Sequence, residues 1–246
     1  RSNIIALHDF RADYDPCVSP MTRKDTSRHQ KVRTARGRKI SSTRWLERQL
    51  NDDYVQMARD RGYRSRAAFK LIEIDDKLGL LRNARRIVDL GAAPGGWSQI
   101  CAERAPQASV LAVDILPMDS LPGVESIEMD FTENSAPQHL KDILRGPADL
   151  VLSDMAPNTT GHKQTDHLRI IALAEMACDF ALEILEPGGH FLCKVFEGGA
   201  QGAMLENLKH NFTQVKHIKP RASRKESAEI YVAGLSLKPA KAAETD

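Results

Sequence analysis

The chain is 246 residues long, room for one α/β domain of ordinary size plus a tail. Hydrophobic residues make up 41% of it, enough for a buried core. No apolar run approaches the roughly 18 residues of a membrane-spanning helix, which excludes that class. Net charge is only +2, yet Met21 to Lys70 carries fifteen Lys/Arg against five Asp/Glu, so a basic arm joins a mildly acidic domain. That asymmetry suits a polyanion binder, or a tail that is merely solvated.

Residues 1–20 differ in character from the rest of the chain and read as an upstream or non-native extension, without the apolar stretch of a cleavable leader. Residues 21–42 are poor in apolar side chains and rich in Arg, Lys, Ser and Thr, so a basic N-terminal arm, disordered in the absence of a polyanion, is expected there. The folded domain is expected over 43–238, with a C-terminal tail at 239–246. From Ser42, helical periodicity places Trp45, Leu46 and Leu50 on one side. Ser65 is expected to cap a second helix, in which Ala68, Leu71, Ile72 and Leu78 recur up to Gly79.

After Arg86 the pattern changes to short apolar runs alternating with helices. Ile87–Leu90, Val110–Val113, Ser126–Met129, Leu150–Ser153, His190–Val195 and Ile230–Leu235 read as strands, and the segments near 97–105, 137–145, 166–185 and 200–210 as helices. The alternation predicts an α/β, Rossmann-like, mostly parallel sheet with helices on both faces. Pro187-Gly188-Gly189 is expected to stop the long fourth helix. Cys17, Cys101, Cys178 and Cys193 form no C-x-x-C pair and have no ligand-spaced histidines. The last three lie in apolar surroundings, as buried free thiols of a reducing cytosol do, and neither zinc nor a disulfide framework is indicated.

The first strand runs straight into a glycine turn, V-D-L-G-A-A-P-G-G-W, Val88 to Trp97. Ligands of open α/β sheets bind beyond the carboxyl ends of the strands, and Gly91, Gly95 and Gly96 remove side chains that would obstruct that approach. The spacing G-x-x-x-G-G is not the G-x-G-x-x-G of a dinucleotide pyrophosphate site. It suits S-adenosylmethionine, which has no phosphate to cradle. The second strand ends at Asp114, 23 residues beyond Gly91, where a carboxylate can accept both hydrogen bonds of a ribose diol. The third is expected to end at Asp130, facing the adenine amino group, and the fourth ends in Ser153-Asp154-Met155-Ala156-Pro157. Three acids at the ends of three consecutive strands face one crevice.

These segments carry a resemblance. S-R-A-A-F-K-L, D-L-G-A-A-P-G-G-W-S-Q, D-I-L-P-M, L-S-D-M-A-P-N and the late S-A-E-I-Y resemble, in order and at matching spacing from Trp45 to Leu237, the FtsJ-type ribosomal RNA 2′-O-methyltransferases. The resemblance implies a seven-stranded methyltransferase fold and S-adenosyl-L-methionine as cofactor. It implies methyl transfer to the 2′-hydroxyl of a uridine ribose in large-subunit (23S) ribosomal RNA, on the assembled or assembling subunit. A cytoplasmic, non-membrane monomer is expected. No domain is seen after the fold, which favours a bacterial enzyme over longer nucleolar relatives; a mitochondrial relative is the alternative.

The family's Lys-Asp-Lys-Glu tetrad finds matches at Lys70, Asp154, Lys194 and Glu229, which the resemblance makes the catalytic set. Gly91, Gly95, Gly96, Trp97, Asp114, Asp130 and Asp154 are the candidate cofactor-binding residues. Lys194 also stands out by itself, because F-L-C-K-V-F places an ammonium inside an apolar strand. Asp154 and Glu229 can supply the counter-charge that buried lysines require. A sulfonium methyl is already electrophilic, so the enzyme needs only to align an oxygen and manage its proton, without a metal. Lys194 is the candidate for activating the hydroxyl, as general base or by stabilising a developing alkoxide. Two other classes compete: an NAD-dependent oxidoreductase, against which the glycine spacing argues, and a non-catalytic ribosome-assembly factor, which need not keep the tetrad together. Transfer RNA or an mRNA cap is the alternative substrate.

Overall fold

The computed structural model describes residues 43, 46, 47, 49–157, 161–197 and 202–239. The expectations for residues 1–42, for Trp45 and for 240–246 lie outside the described residues. The chain up to Asn51 is one unit, in which residues 43, 46, 47, 49 and 50 are helical, and Asp52–Asp246 is another.

Within the second unit, seven strands build one sheet. They are β1 (Arg86–Leu90), β2 (Ser109–Asp114), β3 (Val124–Glu128), β4 (Ala148–Ser153), β5 (Leu185–Phe196), β6 (Phe212–Ile218) and β7 (Glu229–Leu237), ordered β3-β2-β1-β4-β5-β7-β6. The five strands β1 to β5 pair in parallel, and β7 runs antiparallel to β5 and β6. The helices are α1 (Asp53–Asp60), α2 (Ala67–Leu78), α3 (Gly96–Arg104), α4 (Ala136–Leu144), α5 (Lys163–Ile184) and α6 (Ala203–Asn211).

Both faces of the sheet are covered, so the central strands are apolar on both sides instead of alternating. One face packs Ala68, Leu71 and Ile74 of α2 and Trp97, Ile100 and Cys101 of α3 against Ile87, Val110, Leu150 and Leu192. The other packs Leu140 of α4, the Ala174–Ile184 stretch of α5 and Leu208 of α6 against Val88, Val113, Val151 and Phe191. The chain turns outward in opposite directions from β1 and β4. Their carboxyl ends flank the point where α/β sheets bind ligands.

Three local expectations change. Ser65 caps nothing: the residue before α2 is Arg66, and the buried Ser65 hydroxyl has no hydrogen-bond partner. Gly79 does end that helix, in the left-handed conformation at φ 66° with its N–H on Asp75. The long helix stops at Ile184, and Pro187-Gly188-Gly189 falls inside β5, where the register against β4 shifts. Strand β3 stops at Glu128, so Asp130 lies two residues beyond it in the following turn.

Candidate active site

Beyond the carboxyl ends of β1, β2 and β4 lies a cleft of about 580 Å³, lined among others by Gly91, Ala93, Asp114, Asp130, Asp154 and Met155. The glycine turn forms its floor. Gly91 sits at φ +77°, and a Cβ there would lie 2.8 Å from the Met155 backbone, so only glycine lets these two loops close on one another. Asp114 braces the turn: its Oδ2 accepts from Ala93 N at 2.9 Å and its Oδ1 from Leu116 N at 2.9 Å. Asp130 accepts from the Thr132 amide at 2.9 Å and hydroxyl at 2.6 Å. These two bonds hold its carboxyl below the usual range, so it is ionised at neutral pH.

At one end of this cleft four charged groups meet. Lys194 in β5 is 7% exposed, and its ammonium contacts Asp154 Oδ1 at 2.9 Å and donates to the Asp154 carbonyl as well. Lys70, from α2, pairs with Glu229 Oε1 at 2.6 Å. Between the two pairs stands the Tyr231 hydroxyl. It accepts from Lys70 at 3.2 Å, and lies 2.8 Å from Asp154 Oδ1 and 3.2 Å from Glu229 Oε1, to either of which it can donate its proton. Burial, followed by those two carboxylates, pushes the Tyr231 phenol well above its ordinary value and keeps it protonated. Burial works to raise Asp154 too, but the Lys194 and Lys70 ammoniums and the bonds from Lys194 and Tyr231 outweigh it and hold Asp154 ionised. Asp154 therefore belongs to both the cleft and the charged cluster.

Not every residue expected to bind the cofactor faces this cleft. Gly95, at φ +105°, packs against Arg64 and Met118, and a Cβ on Gly96 would collide with the Ser65 hydroxyl. Trp97 is buried: its indole donates to the Ala67 carbonyl at 2.9 Å and its ring lies 5.6 Å from that of Tyr231. Gly95 and Gly96 seat the glycine turn on the segment before α2, Trp97 ties it to α2, and none of the three lines the cleft.

Residues 63–237 match the model of the FtsJ-like methyltransferases. The chain belongs to that family. It is 56% identical over 218 residues to the ribosomal RNA large subunit methyltransferase E of Novosphingobium aromaticivorans, covering 89% of this chain and 98% of that one. The protein of the same name from Zymomonas mobilis is 58% identical over 207 residues, 84% of this chain and 94% of that one. Among solved structures, a ribosomal RNA methyltransferase of Plasmodium falciparum is similar, with a TM-score of 0.61 and 31% identity over 72% of this chain and all of that one.

In this FtsJ-like methyltransferase, two residues of the site carry too little signal to be noticed in the sequence. Tyr231 closes the S-A-E-I-Y segment, but an aromatic in a core strand is ordinary, and nothing there marks a role for its hydroxyl. Ser223, which donates to Glu229 Oε1 at 2.9 Å, sits in a polar loop among many serines. A third, Asp89, does carry a signal, an acid between Val88 and Leu90 in a core strand, and sequence reasoning passed over it. It is fully buried and accepts from the Ser98 hydroxyl at 2.6 Å, while its other oxygen has no hydrogen-bond partner.

Proposed function

We propose that this chain transfers the methyl group of S-adenosyl-L-methionine to the 2′-hydroxyl of a uridine ribose in large-subunit (23S) ribosomal RNA, on the assembled or assembling subunit. The observation that carries the reading is the double membership of Asp154. A cofactor bound in the cleft and a hydroxyl held by the Lys70–Asp154–Lys194–Glu229 cluster would meet at that one residue. The names of the relatives, ribosomal RNA large subunit methyltransferase E, support the substrate.

The residues present fit the cofactor. Gly91 clears the backbone approach, Asp114 offers the remaining lone pairs of its carboxylate to a ribose diol, and Asp130 presents a second carboxylate to a base amino group. Bound there, adenosylmethionine supplies an electrophilic methyl on a positively charged sulfur. The chain's own groups do the rest. Lys194, held by Asp154, would aim an N–H donor at the reacting hydroxyl and stabilise the negative charge that develops on its oxygen while the hydroxyl proton passes to solvent water. Pairing with an ionised Asp154 supports this electrostatic role over that of a general base. Lys70, Tyr231 and Glu229 fix the position of the Asp154–Lys194 pair. All of these groups come from one chain, which supports action as a monomer, and the ribosomal substrate in the relatives' names supports a cytoplasmic reaction.

Incubation with labelled cofactor and, separately, undermethylated large subunits, small subunits, transfer RNA and capped RNA tests the proposal. Label is expected on a uridine 2′-oxygen of the large subunit. Label confined to transfer RNA or to caps overturns the substrate, and label on a base overturns the chemistry.

A further inference from the structure

In the segment before α2, the side chain of Arg64 bonds to two stretches of chain that adjoin the cleft. Its Nη1 donates to the carbonyl oxygens of Asp119 at 2.8 Å and Pro94 at 3.4 Å, and its Nη2 donates to the Ser120 carbonyl at 2.7 Å. Pro94 belongs to the glycine turn, and Asp119 and Ser120 to the β2–β3 loop, which follows Asp114 and places Ile115 and Leu116 along the cleft. Arg64 is itself anchored, because its backbone N–H donates to Gln99 Oε1 of α3 at 3.1 Å, and Gln99 returns a bond to the Gly62 carbonyl at 3.1 Å. The fit is close: a Cβ on Gly95 would lie 2.8 Å from both Arg64 Nη1 and Met118 Sδ.

The loop needs such a tie. Ile115 and Leu116 are 57% and 59% exposed, so little apolar burial holds this wall in place. The bonds within the loop are local ones, from Leu116 to Asp114 and from Val124 to Leu121. A guanidinium suits the task, since its planar fork addresses several carbonyls at once, which a lysine ammonium cannot do in the same geometry.

We propose that Arg64 is a positioning residue of the cofactor site, a clamp that holds the β2–β3 loop against the glycine turn and so sets the wall of the cleft. The inference rests on reading that cleft as the cofactor site. It gives a task inside the protein to an arginine six residues from Lys70, where a contact with substrate phosphate is the obvious assignment.

Arg64→Ala, Arg64→Lys and Asp114→Ala are compared with the parent by calorimetric titration with S-adenosylhomocysteine, by RNA binding, by thermal unfolding and by steady-state kinetics. Both Arg64 variants are expected to lose on the order of tenfold in cofactor affinity. The loss should appear in KM for the cofactor and not in kcat, with RNA affinity within about twofold of the parent. Unchanged cofactor affinity with weakened RNA binding overturns the clamp and makes Arg64 an RNA contact. Equal loss of both affinities, tracking a fall in Tm, overturns it in favour of a general structural role. Full recovery in Arg64→Lys overturns the requirement for a fork. If Asp114→Ala alone loses affinity, the clamp fails while the cleft stands; if none of the three variants does, the cleft assignment itself fails.

Discussion

Asp89 is a buried acid, and the charges that act on it, those of Asp154 and Asp114, are acidic as well. Burial pushes its pKa from 3.8 up to about 7; the Ser98 bonds oppose this and the charges of Asp154 and Asp114 add to it. In the unfolded chain the group ionises near 3.8. Between these two values the folded state keeps a proton that the unfolded state has lost, so this residue's contribution to stability falls as pH rises through the window and stays reduced above it. Asp89→Asn removes the titration. Relative to the parent, the variant is expected to gain on the order of 2 kcal/mol between pH 5 and pH 8, measured by urea unfolding. A difference that is the same at both pH values contradicts the assignment. The sequence was readable at this scale where a residue clashed with its surroundings. Lys194 stood out as an ammonium among apolar neighbours, and Asp114 and Asp154 as acids at strand ends. Lys70 and Glu229 did not stand out, because lysine on a helix face and glutamate at a strand entrance are common; the resemblance alone marked them. Tyr231 was illegible for the opposite reason, a buried aromatic being what a core strand ordinarily contains.

Helix α2 does more than carry Lys70. Arg66, Lys70 and Glu73 recur at intervals of four and three, which puts them on one face of the helix line. Arg66 and Glu73 grip the β6–β7 connection, and Lys70 the first residue of β7. Arg66 donates to the Ala222 carbonyl, Lys70 pairs with Glu229, and Glu73 accepts the amides of Arg221 at 2.5 Å and Ala222 at 3.0 Å. Ala222 packs with Phe69 and with Ala58 of α1 beneath this contact. Glu73→Ala would leave two backbone amides without their acceptor and free the connection that delivers Ser223 and Glu229. A stability loss of about 1–3 kcal/mol is expected, with a lower rate of methyl transfer and unchanged cofactor affinity. Cofactor affinity falling as far as the rate would contradict this division of labour. At this scale the central parallel strands β1, β2 and β4 and their helices were legible, because burial on both faces leaves largely apolar runs. Strand β6 was not: it lies at the sheet edge, and Thr213, Gln214, Lys216 and His217 are exposed, so its sequence looks like a polar loop. Helix α1 was missed too, since only Ala58 is buried in its eight residues.

For the whole molecule the governing feature is uneven charge. The excess of Lys/Arg in Met21 to Lys70 makes phosphate attraction the expected sequence-independent part of substrate binding. Deleting residues 21–42 should flatten the dependence of RNA affinity on salt while cofactor affinity stays intact, read from binding isotherms at several salt concentrations. An unchanged slope would shift the phosphate contacts to the folded domain, where Arg221 and Lys225 are exposed on the β6–β7 connection beside Glu229. The central claim is that the cluster around Asp154 performs methyl transfer, and a single-turnover assay of Lys194→Ala on undermethylated large subunits tests it most directly, free of product release. The variant is expected to bind cofactor and RNA as the parent does and to transfer no methyl above background. Transfer at the parent rate would contradict the account and leave Lys194 a structural residue.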